Sequence, residues 1–310
     1  MSRAEGAVSE RLLAWWYQPA PPLRLALLRV AIGGFALVYL LIRVPNWLSL
    51  AAFHPSEFRP VGVVSLLSSP LPAWLVHGSV LFTIAGAVAF VLGFRFRLVG
   101  PAFAALLWWL TSYRSSWGMI FHTDNLLTLH VFLLALSPAA DVLAWDARRR
   151  PALVEPEREH GRYGWAIRTM VVVTACSYLV AGIAKLKLGG SEWLGGELLR
   201  SQIAFDNLRK IELGSSFSRF GVWLIRHPLV FAPLAAATLV LELGAPLSLR
   251  GGRVALVWSG AAWAFHVGIA LLMNIGFPYP LSFVAYLPAF RVERALPLWR
   301  RFRASRAALR

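Results

Sequence analysis

An all-α, polytopic integral membrane bundle of about eight transmembrane helices is predicted from three observations. Hydrophobic residues make up 58% and charged residues only 15% of the 310 positions, a balance too apolar for an ordinary soluble domain. Apolar runs of about 20 residues recur along the chain, each long enough to cross a bilayer as a helix. Arginines gather at alternate connections between those runs, the asymmetry of cytoplasmic loops.

Residues 1–22 hold Trp15, Trp16 and Tyr17 ahead of Pro19, Pro21 and Pro22, which reads as an interfacial approach to the membrane and not as a cleavable signal peptide. Predicted spans follow at about 23–45, with Arg29 just inside its edge, then 74–94, 98–113, 122–144, 164–185, 229–249, 254–275 and a shorter 278–290. The third and eighth are short enough to be tilted, broken or partly re-entrant. Arg3 and Arg11, Arg95 and Arg97, Arg148 to Arg150 with Arg158 and Arg162, Arg250 and Arg253, and the tail from Arg291 to Arg310 fall on one side. That side is expected to be cytoplasmic, with both termini inside and 291–310 a basic cytoplasmic tail. The connection 186–228 is long and external, and within 196–212 Leu199, Ile203, Leu208 and Ile211 fall near one helical face, an amphipathic helix on the outer surface. No internal repeat or low-complexity tract interrupts residues 1–310, which read as a single domain.

The net charge of +16 would suggest nucleic acid in a soluble protein, but its placement at loops and tail is explained by topology and anionic headgroups. Cys176 is alone, which rules out an intramolecular disulfide and an all-cysteine metal site, and no metal is expected. Phosphate-binding Gly-rich loops, the Gly-x-Gly-x-x-Gly fingerprint, His-Glu-x-x-His and Gly-x-Ser-x-Gly are all missing, which disfavours nucleotide hydrolysis, dinucleotide redox chemistry and zinc proteolysis.

Ionisable residues at membrane depth are the usual markers of chemistry. Here they are His122, Asp124 and His130 in the fourth span, Lys185 at the end of the fifth, Glu242 in the sixth and His266 in the seventh. Lys185 closes the apolar stretch from Tyr178 and precedes paired glycines and Trp193. An amine there must snorkel to water, find a partner or give up its proton, and the last option would make it a base. Alternatively, Lys185 and Lys187 mark the polar end of a helix. The orientation above puts His122, Lys185 and His266 at similar depth in the outer leaflet and leaves Glu242 nearer the inside, as a structural carboxyl that is either protonated or paired with an arginine such as Arg29. Asp124 either joins the same pocket or only favours a helix N-terminus. His130 and His266 could equally be hydrogen-bonded packing residues. Trp108 and Trp109 read as membrane packing or interface anchors, or, in another reading, as part of a quinone binder without chemistry.

The run from Tyr178 through Ala181, Gly182, Lys185 and Leu186, followed by Trp193 and Gly195, resembles the Tyr-x-x-Ala-Gly-x-x-Lys-Leu segment of the vitamin K-dependent γ-glutamyl carboxylase family and its bacterial relatives, the horizontally transferred transmembrane (HTTM) domain proteins. Phe265-His266 followed by Ile275-Gly276, the opening from Pro22 to Arg29, and the stretch from His122 to Pro138 and Asp146 are similar to the same pattern. The resemblance implies a bacterial cytoplasmic-membrane protein that modifies a peptide or small molecule at the outer leaflet with reduced vitamin K or another quinol. In that family the motif lysine deprotonates the quinol; oxygenation then yields an alkoxide that takes the γ-proton of a glutamate, and CO2 adds. Carried over, Lys185 would be the base, His122 a stabiliser of developing negative charge, and Tyr178, Gly182, Trp193, Asp124, Glu242 and His266 would belong to the pocket. The animal enzyme's large lumenal domain has no counterpart here, so a secreted peptide substrate and a small partner subunit are expected besides the lipid bilayer. Proteins of this length also resemble membrane factors that mature secreted peptide toxins of the sporulation-delaying type, an alternative in which Lys185 only anchors an anionic group.

Overall fold

The computed structural model describes residues 3–119, 122–148 and 154–295. Its helices are α1 (Arg3–Trp16), α2 (Pro22–Ile42), α3 (Val44–Ser49), α4 (Ala73–Leu92), α5 (Phe96–Ser115), α6 (His122–Ala135), α7 (Trp145–Arg148), α8 (Gly161–Leu194), α9 (Glu197–Glu212), α10 (Arg219–Leu224), α11 (Phe231–Leu243), α12 (Gly252–Met273) and α13 (Pro278–Leu281). Short 3-10 turns include Ala245–Arg250 and Val284–Ala289, and among the described residues the only β pairing is an isolated bridge between Ala20 and His160. The protein is all-helical, and α2, α4, α8 and α12 are each long and apolar enough to cross a membrane.

Proline and glycine explain where these helices depart from the predicted spans. Pro138 lacks the N–H that would continue α6, which ends at Ala135 although apolar sequence runs on. The predicted eighth span is broken into α13 and a 3-10 turn because Pro278, Pro280 and Pro288 leave too few donors for a continuous helix. The sixth stops as an α-helix at Leu243 and tightens into Ala245–Arg250, with Pro246 near the start of that turn. Helix α8 instead continues past the expected end at Lys185, breaks at Gly190 (φ 49°, ψ −132°), and finishes at Leu194.

The chain divides into two compact units, Met1–Met170 with Arg291–Arg310, and Val171–Phe290. In the first, α2 packs on α4, α4 on α5 and α5 on α6. Gly93 ends α4 with φ 65°, and a Cβ there would stand 1.9 Å from Arg29 Nη1. The Asp146 carboxylate accepts the backbone N–H groups of Arg95 and Phe96 at 3.0 Å each, so it caps the start of α5. Arg29 is fully buried, donates to the Leu143 carbonyl at 2.5 Å and lies 5.6 Å from the Phe96 ring centre.

The second unit holds the C-terminal part of α8 with α9 to α13. Its core joins Tyr178, Trp258, Ala262 and Tyr286, with Phe265 and Phe283 packed against them. Helix α9 forms within the connection predicted to be external. Ile203, Asp206 and Asn207 are buried, whereas Leu208 and Ile211 are exposed by 55% and 45%. Hydrogen bonding sets that rotation: Asn207 donates to the Leu272 carbonyl at 2.9 Å and accepts the Ser218 N–H at 2.7 Å, and Lys210 bridges Asp206 and the Met273 carbonyl.

Candidate acid/base site

Helix α8 puts Tyr178, Gly182 and Lys185 four and three residues apart, in line on one face. Gly182 sits where α11 comes closest: a Cβ on it would be 2.9 Å from the Glu242 Cβ and 3.1 Å from a Leu243 methyl. Hydrogen is the only substituent that permits this approach, and the approach brings Lys185 Nζ into a hydrogen-bonded ion pair with Glu242 Oε1. The lysine side chain is 22% exposed and the glutamate 3%. Two aromatic rings enclose the amine, Trp193 at 5.0 Å and Phe265 at 5.5 Å from Nζ. They offer it π faces in place of water. Trp193 is in turn held against Ala235 and Leu239 of α11.

A second polar centre adjoins the first through the Phe265-His266 dipeptide of α12. The Tyr178 hydroxyl is 2.8 Å from His266 Nε2 and 2.6 Å from the Tyr286 hydroxyl. Trp258 meets the Tyr178 ring edge-on at 5.0 Å, and Phe277 lies 5.0 Å from the His266 ring. All three polar residues are buried, so their hydrogen bonds satisfy groups that could not otherwise leave water cheaply.

Of the residues singled out in the sequence, the second unit therefore holds Tyr178, Gly182, Lys185, Trp193, Glu242 and His266. Of the alternatives for Glu242, pairing with an arginine such as Arg29 is corrected: its partner is Lys185. The depth argument failed because it treated 229–249 as a full span and Lys185 as a helix end. In fact α11 is a 13-residue helix and α8 runs beyond Lys185. Tyr286 was not singled out, although a tyrosine inside a Pro-interrupted apolar segment needs a partner for its hydroxyl.

Asp124 lies in the first unit. There it accepts the Tyr39 hydroxyl at 2.7 Å and Arg114 at 2.8 Å, and Arg114 also donates to Tyr39 at 3.0 Å. His130, in the same unit, is 3.2 Å from the Met170 carbonyl. The side chain of His122 lies outside the described residues. Among the described residues no three His, Cys, Asp or Glu side chains come together to hold a metal ion. A separate open cleft of about 590 Å³, lined by apolar residues such as Phe220, Leu224, Leu229, Leu234 and Leu271, holds none of the ionisable groups.

Such an arrangement can exchange a proton within a site of low polarity. No curated protein and no solved structure matches the chain. The model of the HTTM domain matches residues 17–292, most of the sequence and the whole of both polar centres, and the chain accordingly belongs to the HTTM domain family.

Proposed function

We propose that this integral membrane protein is a quinol-dependent modifying enzyme of the vitamin K carboxylase-like class, with Lys185 as base, acting on a peptide or small molecule at the outer leaflet. The HTTM domain supports the class, and the observation that carries the chemistry is the Lys185–Glu242 pair inside the cage of Trp193 and Phe265. An aromatic diol suits this reading, since it could stack on the rings beside the amine and offer hydroxyl groups to the donor and acceptor of the pair. A quinol oxidised to its epoxide, with O2 reduced and water released, supplies the driving force for replacing a C–H proton of the acceptor by CO2. The chain's own part is narrower. Lys185 withdraws a hydroxyl proton, Glu242 fixes the amine's position, and the rings exclude water from the exchange, which strengthens electrostatic effects there. Tyr178, itself bonded to the Tyr286 hydroxyl, holds His266 in place at the edge of the site.

The test is epoxide formation by the purified protein in nanodiscs, supplied with reduced vitamin K and oxygen. Wild type is expected to form epoxide, and Lys185→Ala to lose at least about 100-fold, the usual scale of a positioned base. Lys185→Arg should also be inactive, because a guanidinium keeps its proton. Absence of epoxide from folded wild type, with and without a candidate partner subunit, would overturn the quinol chemistry and leave the peptide-maturation reading, in which Lys185→Arg retains anion binding.

A further inference from the structure

Two buried polar atoms beside Lys185 have no hydrogen-bond partner among the described residues: Glu242 Oε2 and Trp193 Nε1. Their residues are 2% and 5% exposed. Leaving such groups unpaired is costly, and neither is needed for the fold as such, since the Trp193 ring packs on Ala235 and Leu239 without its N–H. One is an acceptor, the other a donor, and Lys185 joins them: its Nζ is bonded to the other oxygen of Glu242 and lies over the Trp193 ring. A hydroxyl is the simplest group that satisfies both, since its hydrogen donates to a carboxylate while its oxygen accepts an indole N–H.

We infer that Glu242 Oε2 and Trp193 Nε1 form the subsite that receives a quinol hydroxyl, and that Glu242 is the second member of the acid/base pair. The inference rests on the proposed quinol chemistry and adds to it the atoms that recognise the reduced ligand. The ion pair holds one proton that either partner can carry. When Glu242 takes it, Lys185 is left as a free amine. The quinol O–H bond then breaks with its electron pair remaining on oxygen, its proton passing to Glu242 Oε2 as the proton on Oε1 returns to the Lys185 amine, and Trp193 N–H stays on the resulting oxyanion. A quinone carbonyl lacks the hydrogen that Glu242 Oε2 needs, so the subsite distinguishes the reduced ligand from the oxidised one.

The experiment measures anaerobic binding of 2-methyl-1,4-naphthoquinol and of 2-methyl-1,4-naphthoquinone to the protein in nanodiscs, followed by epoxidation rates. Wild type should bind the quinol at least about tenfold more tightly, the scale of one hydrogen bond to a charged group. Glu242→Gln should abolish that preference and lower kcat about 100-fold. Trp193→Phe keeps the ring and removes only an N–H without a partner, so it should fold normally and weaken quinol binding several-fold. Should Glu242→Gln fail to fold, Trp193→Phe and the wild-type preference decide the matter. Equal binding of quinol and quinone by wild type, or unchanged quinol binding in Trp193→Phe, would overturn the inference. Full epoxidation by Glu242→Gln with none by Lys185→Ala would do the same while leaving the quinol reading intact. Loss of that reading is recognised separately, by wild type that forms no epoxide.

Discussion

Hydrogen at position 182 is what lets a lysine and a glutamate meet inside the second unit. Gly182→Val adds a branched side chain where even a Cβ would press on Glu242 at 2.9 Å. Overpacking of this kind costs about 1–3 kcal/mol. The expected result is a lower thermal midpoint in detergent together with loss of the proposed epoxidation. A Gly182→Val protein with wild-type stability and turnover would show that α11 yields without parting the pair. Of the site residues, Lys185, Gly182 and Trp193 were legible because they stand close together in one segment and each is out of place in a plain membrane helix. Glu242 was visible as an ionisable residue but was given the wrong partner, since a pairing 57 positions apart depends on how far each helix extends. Tyr286 closes a hydrogen bond to a residue 108 positions away, and nothing near it in the chain announces that contact.

Helix α9 illustrates the element scale. Its existence followed from residue preferences, and the pattern of Leu and Ile says nothing of the polar groups it turns inward. Asp206 and Asn207 turn inward because the carbonyls of Leu272 and Met273, at the end of α12, and the Ser218 N–H need partners. Phe205, Leu208 and Ile211 are left outward. Asn207→Leu is therefore expected to destabilise the protein by about 1–3 kcal/mol, by leaving buried backbone groups unsatisfied. Leu208→Ser, on the exposed side, should change the thermal midpoint in detergent little. The opposite ranking would mean that α9 presents its apolar side to the rest of the protein. The eighth predicted span, short enough to be broken, is broken at this scale, because its prolines interrupt helical bonding whatever the segment's hydrophobicity.

Across the whole molecule, arginine placement predicts both termini on the cytoplasmic side and residues 186–228 outside. Single cysteines in a Cys176→Ser background make this testable in intact cells with a thiol reagent that cannot cross the membrane. A cysteine in place of Ser215 should label, whereas ones replacing Ser9 or Ser305 should label only after the membrane is opened. Labelling of Ser9→Cys in intact cells would reverse the orientation and with it the outer-leaflet location of the site.

The sequence alone determined that the protein is an all-helical membrane protein, and it marked the lysine segment, because bilayer insertion and helix periodicity act on contiguous residues. It also carried the family relationship through motifs that lie close together along the chain. Only the tertiary structure decided that Lys185 belongs to Glu242, that Tyr178, His266 and Tyr286 form one hydrogen-bonded group, and which face of α9 is buried. Those outcomes depend on where helices end and how closely their backbones approach. Both are set by proline interruptions, by a single glycine contact and by unsatisfied polar groups finding partners far away in the chain, none of which a local pattern of hydrophobicity encodes.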